Sequence, residues 1–146
     1  MGKVREIGIF INQDNQILNL QEVEAIAGKG LIKDSHFKKD NDKRCQITLI
    51  EIENINHYNK LSGSTIQAIN FRRNIVTEGI KLNDLIAKEF FIGKIKVKAH
   101  DLCRPCKYLQ ESLKQKNIIK EFLRKGGLRC EILSSGKIFI GDIIQQ

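Results

Sequence analysis

The sequence predicts a mainly β fold: a closed, mostly antiparallel β-barrel with a few short helices, two of them late in the chain. Three observations lead to this prediction. Short β-branched and apolar runs recur from the N-terminus onward, helical spacing of apolar residues begins only after Pro105, and strands do not alternate with helices as in a doubly wound sheet. The 146 residues suit one domain, 1–146, which can bury a core without disulfides or a structural metal.

The first part of the chain is predicted to form strands joined by tight turns. Val4 to Ile11 is mostly apolar, and the turn-forming residues Asn12 to Asn15 would return the chain into a strand over Gln16 to Leu20. Residues 22–27 alternate in polarity before a Gly-Lys-Gly turn, which indicates a half-buried strand. The polar run Lys38 to Arg44 is predicted to be a mobile loop.

The middle of the chain contains the clearest strand pattern. Cys45 to Ile52 predicts a strand and Glu53 to Lys60 a short helix or turn. Phe90 to His100 predicts one long strand, because Ile92, Lys94, Lys96 and Lys98 alternate with Gly93, Ile95, Val97 and Ala99. One face would be buried and the other would expose three lysines; these residues are Ile95, Val97 and Ala99, and Lys94, Lys96 and Lys98.

The end of the chain is predicted to contain two helices and a hairpin. Apolar residues after Pro105 recur at helical spacing, and Arg124 to Gly127 supplies the cations and glycines that end a helix. Leu128 to Leu133 and Lys137 to Ile144 then read as the two strands of a closing hairpin.

The charge balance favours an anionic partner. Lys and Arg number 25 against 17 Asp and Glu, which leaves a formal charge of +8. Aromatic residues are few and are not interleaved with the cations, which argues against a nucleic acid partner. The sequence shows neither a membrane-spanning apolar run nor a secretory signal, so we expect a cytoplasmic protein with no membrane association.

The four cysteines carry the main chemical information. In a reducing compartment we expect free thiols, metal ligands or catalysts. Cys45 and Cys130 lie within apolar strand patterns, which predicts small buried side chains. Cys103 and Cys106, in contrast, form a Cys-Arg-Pro-Cys motif at the predicted junction of a strand and a helix.

The residues alone leave three interpretations of this motif open. His100, Cys103 and Cys106 are suitable zinc ligands, but a closed structural site needs a fourth. The two cysteines also resemble a redox dithiol, without the expected strand-helix-strand context. Alternatively, one cysteine is a thiolate activated by the helix N-terminus, Arg104 and Lys107, and serves as a nucleophile, sulfur carrier or soft-metal ligand.

Five segments follow one another in an order that is specific to one family. They are Gly30 to Ile50 with Asp34, His36 and Gln46; Arg72 to Ile80; Cys103 to Leu109; Gly126 to Leu128; and Gly141 with Asp142. Together they resemble the MOSC domain family, named for the C-terminal domain of molybdenum cofactor sulfurases. The resemblance implies a closed, pyruvate kinase β-barrel-like fold. The family's Gly-Asp-Arg-His turn is Lys33-Asp34-Ser35-His36 in this sequence, which departs from the pattern.

The resemblance implies a sulfur-carrier or molybdenum-cofactor-binding protein. Cys106 matches the family's Pro-Cys-x-x-Leu core and is the expected persulfide carrier or molybdenum ligand, with Cys103 as a supporting catalytic thiol. The implied activity is that of a sulfur transferase or a component of a molybdenum-dependent reductase. The expected cofactor is molybdopterin, whereas pyridoxal phosphate is not expected, because it would require a separate domain.

The same resemblance, together with the chemistry of guanidinium groups, implies a basic pocket for a small anionic ligand, either pterin-like or N-hydroxylated. Arginine binds phosphate bidentately, although paired arginines equally often tie a loop to carboxylates. The expected cofactor-binding residues are Arg72, Arg73, Asn74, Arg104, Asp34 and His36. The expected partner is a cysteine desulfurase or a molybdenum-cofactor enzyme. The alternative from a different class is a non-catalytic basic adaptor that docks onto a cofactor-synthesis or sulfur-delivery enzyme.

Overall fold

The computed structural model describes residues 1–11, 16–103, 118–122 and 124–146. The strands in these ranges are β1 (Gly2–Ile11), β2 (Gln16–Leu20), β3 (Glu22–Ile26), β4 (Gly30–Leu31), β5 (Ile47–Glu51), β6 (Ile75–Glu78), β7 (Glu89–Ile92), β8 (Ile95–Leu102), β9 (Leu128–Ile132), β10 (Gly136–Phe139) and β11 (Ile143–Gln145). The helices there are α1 (Ile52–Ser62), α2 (Ile118–Glu121) and two 3₁₀ helices, Ala68–Phe71 and Leu82–Leu85.

Seven strands close into a barrel in the order β1, β11, β7, β8, β9, β5, β6 and back to β1. Strand β2 extends the sheet beyond β1, and β10, β3 and β4 form a second, three-stranded sheet. Among the described pairings only β5 with β6 is parallel. A parallel pair needs a crossover connection, which α1 and the first 3₁₀ helix provide. The prediction of a mostly antiparallel barrel is therefore confirmed.

The barrel interior forms the main core, and a smaller core lies beneath α1. Ile52, Ile55 and Tyr58 are buried on one face of α1, as expected from their spacing of three residues. The Tyr58 and Phe122 rings lie 5.4 Å apart, and the Phe71 and Phe122 rings 4.9 Å apart. Phe122 thus anchors the chain just after α2 to the α1 side of the barrel.

Several sequence predictions agree with these elements. Strands β1 and β2 form the expected hairpin, and Val23 and Ala25 are buried on alternate positions of β3. The short helix predicted at Glu53 to Lys60 is α1. The predicted turn at Asn12 to Asn15 and the first late helix, after Pro105, lie outside the described residues. In the part of the chain that the structure covers, no helix is both long and apolar enough to cross a membrane.

The prediction of one strand from Phe90 to His100 is wrong. The chain forms a hairpin of β7 and β8 instead, with Ile92 paired to Ile95 and the turn at Gly93 and Lys94. Gly93 takes a φ of 59°, and a Cβ there would come 2.5 Å from the Asp142 carboxylate. The two-residue turn shifts the buried positions from Phe90 and Ile92 to Ile95, Val97 and Ala99, and the prediction treated Gly93 and Lys94 as a continuation of the alternation.

The predicted faces of this region are confirmed in part. Ile95, Val97 and Ala99 are buried as predicted, but Lys94 lies in the turn rather than on the face of Lys96 and Lys98.

The predicted closing hairpin of Leu128 to Leu133 with Lys137 to Ile144 is also wrong. β10 pairs with β3, and β11 fills the gap between β1 and β7 to close the barrel. The connecting turn is fixed by long-range bonds, because Ser135 Oγ accepts the Ala27 N–H at 2.8 Å and Ser134 Oγ accepts the Lys96 N–H at 2.8 Å. These two bonds direct the chain away from β9.

Candidate functional site

One cavity has a volume of about 240 Å³. Much of its wall is formed by the segments just before β5, just before β6 and just after β8. We call it the arginine cavity. Its lining residues come from separate parts of the chain: Phe10, His36, Arg44, Cys45, Thr48, Arg72, Arg73, Asn74, Cys103 and Arg129. The structure therefore brings together five of the predicted site residues, His36, Arg72, Arg73, Asn74 and Cys103. Cys106 and Arg104 lie outside the described residues.

Two of the arginines are held firmly at the cavity. The Arg73 Nε–H donates to the Gly126 carbonyl at 3.0 Å and its Nη1 to the Phe71 carbonyl at 3.2 Å. The Arg72 guanidinium lies 5.3 Å from the centroid of the Phe10 ring, a cation–π distance. Both side chains are half-buried. A guanidinium has five N–H donors, so the two carbonyl contacts of Arg73 leave donors for an anion.

The other two arginines lie nearer the surface. Arg44 is exposed, and its Nε lies 3.6 Å from an Asp42 carboxylate oxygen. Arg129 is exposed on β9, in register with Thr48 of β5. Because four cations face one concavity, the site is suited to an anionic ligand.

Cys103 is a buried thiol next to two of these arginines. Its backbone N–H donates to the Gly127 carbonyl at 2.7 Å. Burial raises the pKa of the Cys103 thiol, and the charges and hydrogen bonds of Arg73 and Arg129 offset this only partly. A thiol with a raised pKa is mostly neutral at pH 7, so Cys103 is a weak nucleophile in the described structure.

The other two described cysteines differ from each other. Cys130 is fully buried, and burial, with a smaller contribution from Cys103, raises its pKa well above the ordinary value. It is the small buried side chain that the sequence predicts. Cys45 is not, because it is half-buried, lies just before β5 and lines the arginine cavity. The strand pattern overestimates its burial, because the strand begins at Ile47 rather than at Cys45.

A wider polar cleft of about 710 Å³ adjoins the arginine cavity. The two share His36, Cys45 and Arg72. The cleft is otherwise lined by residues of the 35–42 loop, Ser35, Lys38, Asp40, Asn41 and Asp42. A ligand larger than the arginine cavity therefore has room to extend over this loop.

A buried polar network lies behind the cavity wall. Asn74 contacts Gly8, Asp34 and Thr48 through its side-chain amide. Asp34, also buried, accepts the backbone N–H groups of Phe10 at 2.9 Å and His36 at 3.2 Å. The Asp34 carboxylate is therefore turned toward the protein, while the His36 side chain is 65% exposed at the cavity.

The zinc ligands proposed from sequence are only partly described. His100 Nε2 lies 2.8 Å from a Glu131 carboxylate oxygen, and His100 does not line the cavity that Cys103 lines. Within the residues that the structure covers, no three His, Cys, Asp or Glu side chains are grouped to hold a metal ion.

Sequence reasoning missed five of the lining residues, namely Phe10, Arg44, Cys45, Thr48 and Arg129. Thr48 and Arg129 interrupt two apolar strands, which marks them as facing away from the barrel core. That signal gives their direction, but not that a cavity lies there.

Comparisons with known proteins agree with this fold. The MOSC domain model matches residues 33–145. The YuaD protein of Bacillus subtilis superposes with a TM-score of 0.80 at 19% identity, covering 99% of this chain and 94% of that one. YiiM from Geobacillus stearothermophilus gives a TM-score of 0.76 at 15% identity, covering 99% of this chain and 74% of that one.

A third structure gives the same result. YiiM from Escherichia coli gives a TM-score of 0.70 at 14% identity, covering 97% and 68% of the two chains. At these identities the superpositions show a common fold. Comparison with curated proteins finds no match.

Proposed function

The chain belongs to the MOSC domain family, and from this premise we propose that it binds a small phosphate-bearing anion in the arginine cavity and acts as a sulfur-carrier or molybdenum-cofactor-binding protein. Members of the family are generally linked to molybdenum cofactor binding or to sulfur-related functions. The observation that supports binding is the convergence of Arg44, Arg72, Arg73 and Arg129 on one cavity that also contains two thiols.

The side chains present suit the phosphate-bearing molybdenum cofactor. Arg72, Arg73 and Arg129 would hold its anionic tail, because guanidinium groups bind phosphate oxygens in pairs. A cysteine thiolate would provide one soft ligand for the metal. When bound, the group would supply oxidation–reduction chemistry, such as the reduction of an N-hydroxylated compound. The arginine cavity is small for a drug-sized ligand, so the remainder of the cofactor would lie over the adjoining polar cleft.

We assign the sulfur-bearing or metal-binding role to Cys106, on its match to the family motif. Cys103 is the supporting thiol, because its raised pKa makes it a poor nucleophile and a poor metal ligand at neutral pH. It lines the same cavity as Arg73 and Arg129, whose charges lower the pKa of its thiol against the effect of burial.

Pyrophosphate binding measured by titration calorimetry tests the anion site. Arg73→Ala removes a half-buried cation, and we expect affinity to fall about 10- to 100-fold, the range typical of a hydrogen bond to a charged group. Lys96→Ala removes an equal charge outside the cavity and should leave the affinity unchanged. Affinity should also weaken as salt rises, because ions screen exposed cations. Equal losses from the two variants would contradict a localised site.

Mass spectrometry of the native protein tests the sulfur role. A persulfide adds about 32 Da, and we expect this mass or bound molybdopterin in the wild type and in Cys103→Ser, but not in Cys106→Ser. Equal loss from both variants, with one zinc per chain in the wild type, would support the zinc interpretation instead. Pyrophosphate binding with neither modification nor cofactor would favour the adaptor alternative.

A further inference from the structure

We propose that Asn74, Asp34 and Thr48 are positioning residues of the arginine cavity: they hold the Arg72–Arg73 segment in place and do not themselves bind the ligand. The proposal rests on the proposed function in one respect, that the positioned arginines bind an anion. The buried network itself is independent of any ligand.

The Asn74 side chain has no capacity left for a ligand. Its Nδ2 donates to the Gly8 carbonyl at 3.0 Å and to Asp34 Oδ1 at 3.4 Å. Its Oδ1 accepts the Thr48 N–H and the Thr48 hydroxyl, each at 3.1 Å. A primary amide has two donor hydrogens and two acceptor lone pairs, so these four bonds saturate it. Although Asn74 borders the cavity, its polar atoms all point to protein.

The position of Asn74 explains how its hydrogen bonds hold the preceding arginines in place. Asn74 directly precedes β6, which lies between β1 and β5 in the barrel. Its backbone also contacts both neighbours, since its N–H donates to Thr48 Oγ at 3.0 Å and its carbonyl accepts the Gly8 N–H at 2.7 Å. Backbone and side chain therefore fix Asn74 to two strands at once, and the arginines immediately before it are fixed with it.

Asp34 connects this junction to the other wall of the cavity. Its carboxylate accepts the Phe10 N–H, and the Phe10 ring is the surface on which the Arg72 guanidinium lies. The same carboxylate accepts the His36 N–H and so holds the turn that presents His36. Asp34 thus fixes the backbone of Phe10, on whose ring Arg72 lies, and also the backbone of His36.

The backbone conformation near the cavity is consistent with a segment that is fixed at both ends. Arg72 and Lys33 both adopt left-handed conformations, with φ of 61° and 71°. Residues other than glycine take this conformation at a cost and keep it only where the surroundings determine it. Arg72 ends the 3₁₀ helix Ala68–Phe71, where its N–H donates to the Ile69 carbonyl at 3.1 Å, and Asn74 is fixed by the network two residues later. Lys33 directly precedes Asp34. The helix end and the network therefore hold the chain on both sides of Arg73.

Thr48→Val tests the proposal, with Thr77→Val as the matched control. Both changes remove one hydroxyl of a strand threonine with little change of shape. Thr77 Oγ donates to the Ile50 carbonyl at 3.3 Å, and Thr77 does not line the arginine cavity. We expect Thr48→Val, which removes both hydrogen bonds of the Thr48 hydroxyl to Asn74, to weaken pyrophosphate binding about three- to tenfold, and Thr77→Val to leave it unchanged. Thr48→Ser, which keeps the hydroxyl, should restore the wild-type affinity.

A spectroscopic measurement separates positioning from a general loss of stability. The Arg73 Nε–H donates to a carbonyl, so its NMR resonance reports where the side chain lies. We expect Thr48→Val to shift this resonance in the absence of ligand, whereas Thr77→Val should not. If Thr48→Val does not fold, Asp34→Asn is the substitute, because it leaves fewer acceptors for the Phe10 and His36 N–H groups.

The outcomes distinguish this inference from the proposed function. One outcome is that Arg73→Ala loses pyrophosphate binding while Thr48→Val and Thr77→Val bind with equal affinity. That outcome would overturn the positioning role but not the proposed function. Absence of pyrophosphate binding in the wild type would overturn the proposed function, and the Arg73 resonance would still decide whether the network positions the arginine. An unshifted resonance in both Thr48→Val and Asp34→Asn would overturn the inference.

Discussion

The arginine cavity and the lysines on β8 and β10 carry charges of the same sign, but their side chains differ in burial and in hydrogen-bond partners. We call Lys96, Lys98 and Lys137 the lysine face. Lys96 is 44% exposed and pairs with Glu89 at 2.9 Å, and Lys137 is 57% exposed and lies 3.8 Å from Glu22. Arg73, in contrast, is half-buried and hydrogen-bonded to two backbone carbonyls.

This difference explains why net charge does not locate a binding site. Exposed lysines paired with carboxylates are solvated and contribute little beyond solubility. An arginine held by carbonyls leaves a net positive charge at the site, because a carbonyl is neutral whereas a carboxylate would cancel the charge. Because its side chain is already held in place, it also loses little conformational entropy when an anion binds. The site is therefore where backbone carbonyls hold Arg73 in place, although the exposed lysines contribute to the same charge of +8.

The largest expected effect separates two glycines, of which only Gly127 contacts a residue of the arginine cavity. Gly127 supplies the carbonyl that accepts the Cys103 N–H, has a φ of 101°, and a Cβ there would overlap the Leu49 carbonyl oxygen. Gly141, before β11, has a φ of 89° but open space around it. We expect Gly127→Ala to lower the free energy of unfolding by more than about 3 kcal/mol and Gly141→Ala by about 1 kcal/mol. Denaturant titration measures both, and similar losses would mean that backbone strain rather than close packing sets the cost.

A medium effect is expected within the arginine cavity, between its two described thiols. Cys45 is half-buried, whereas Cys103 is buried and has a raised pKa despite two nearby arginines. We expect iodoacetamide at neutral pH to modify Cys45 at least about tenfold faster than Cys103, because only the thiolate reacts. The Cys103 rate should rise with pH until it passes its raised pKa. Peptide mass spectrometry measures both rates, and faster modification of Cys103 would show that the arginines outweigh burial.

The smallest effect is expected on the lysine face. The Lys96 ammonium lowers the pKa of Glu89 through a hydrogen bond and its charge. Lys96→Ala should raise the Glu89 pKa toward its ordinary value, as measured by NMR titration. A lowered carboxylate pKa stabilises the folded state above the unfolded pKa, and this contribution is lost as pH falls through the folded pKa. Because the pair is exposed, we expect no measurable change in the unfolding midpoint at any pH. A clear decrease at neutral pH would show that the lysine face is structurally important.

Local patterns predicted those parts of the fold in which neighbours in sequence are also neighbours in space. The β1–β2 hairpin and the buried face of Ile95, Val97 and Ala99 belong to this group. The patterns failed where partners come from far along the chain. β10 joins β3 rather than β9, and β11 closes the barrel beside β1, because unpaired strand edges elsewhere supply the hydrogen bonds.

The candidate site divides in the same way. Motif resemblance indicated His36, Arg72, Arg73, Asn74 and Cys103, and the structure places all five around one cavity. It did not indicate Arg129 or Thr48, which have no motif of their own and reach the cavity only because β9 pairs with β5. The motif also did not show that Asn74 differs from the arginines beside it in having every side-chain donor and acceptor bonded to protein. Those hydrogen-bond partners lie up to 66 residues away in sequence.

The sequence by itself determined the class of the fold, its antiparallel character and the residue types available for anion and thiol chemistry, because these follow from local alternation and composition. Tertiary structure alone decided how the barrel closes, which cations are fixed in a cavity and which are solvated, and that Cys103 is a buried, neutral thiol. The physical reason is that burial, hydrogen-bond saturation and pKa depend on atoms from strands distant in sequence, and no local pattern records which strands meet.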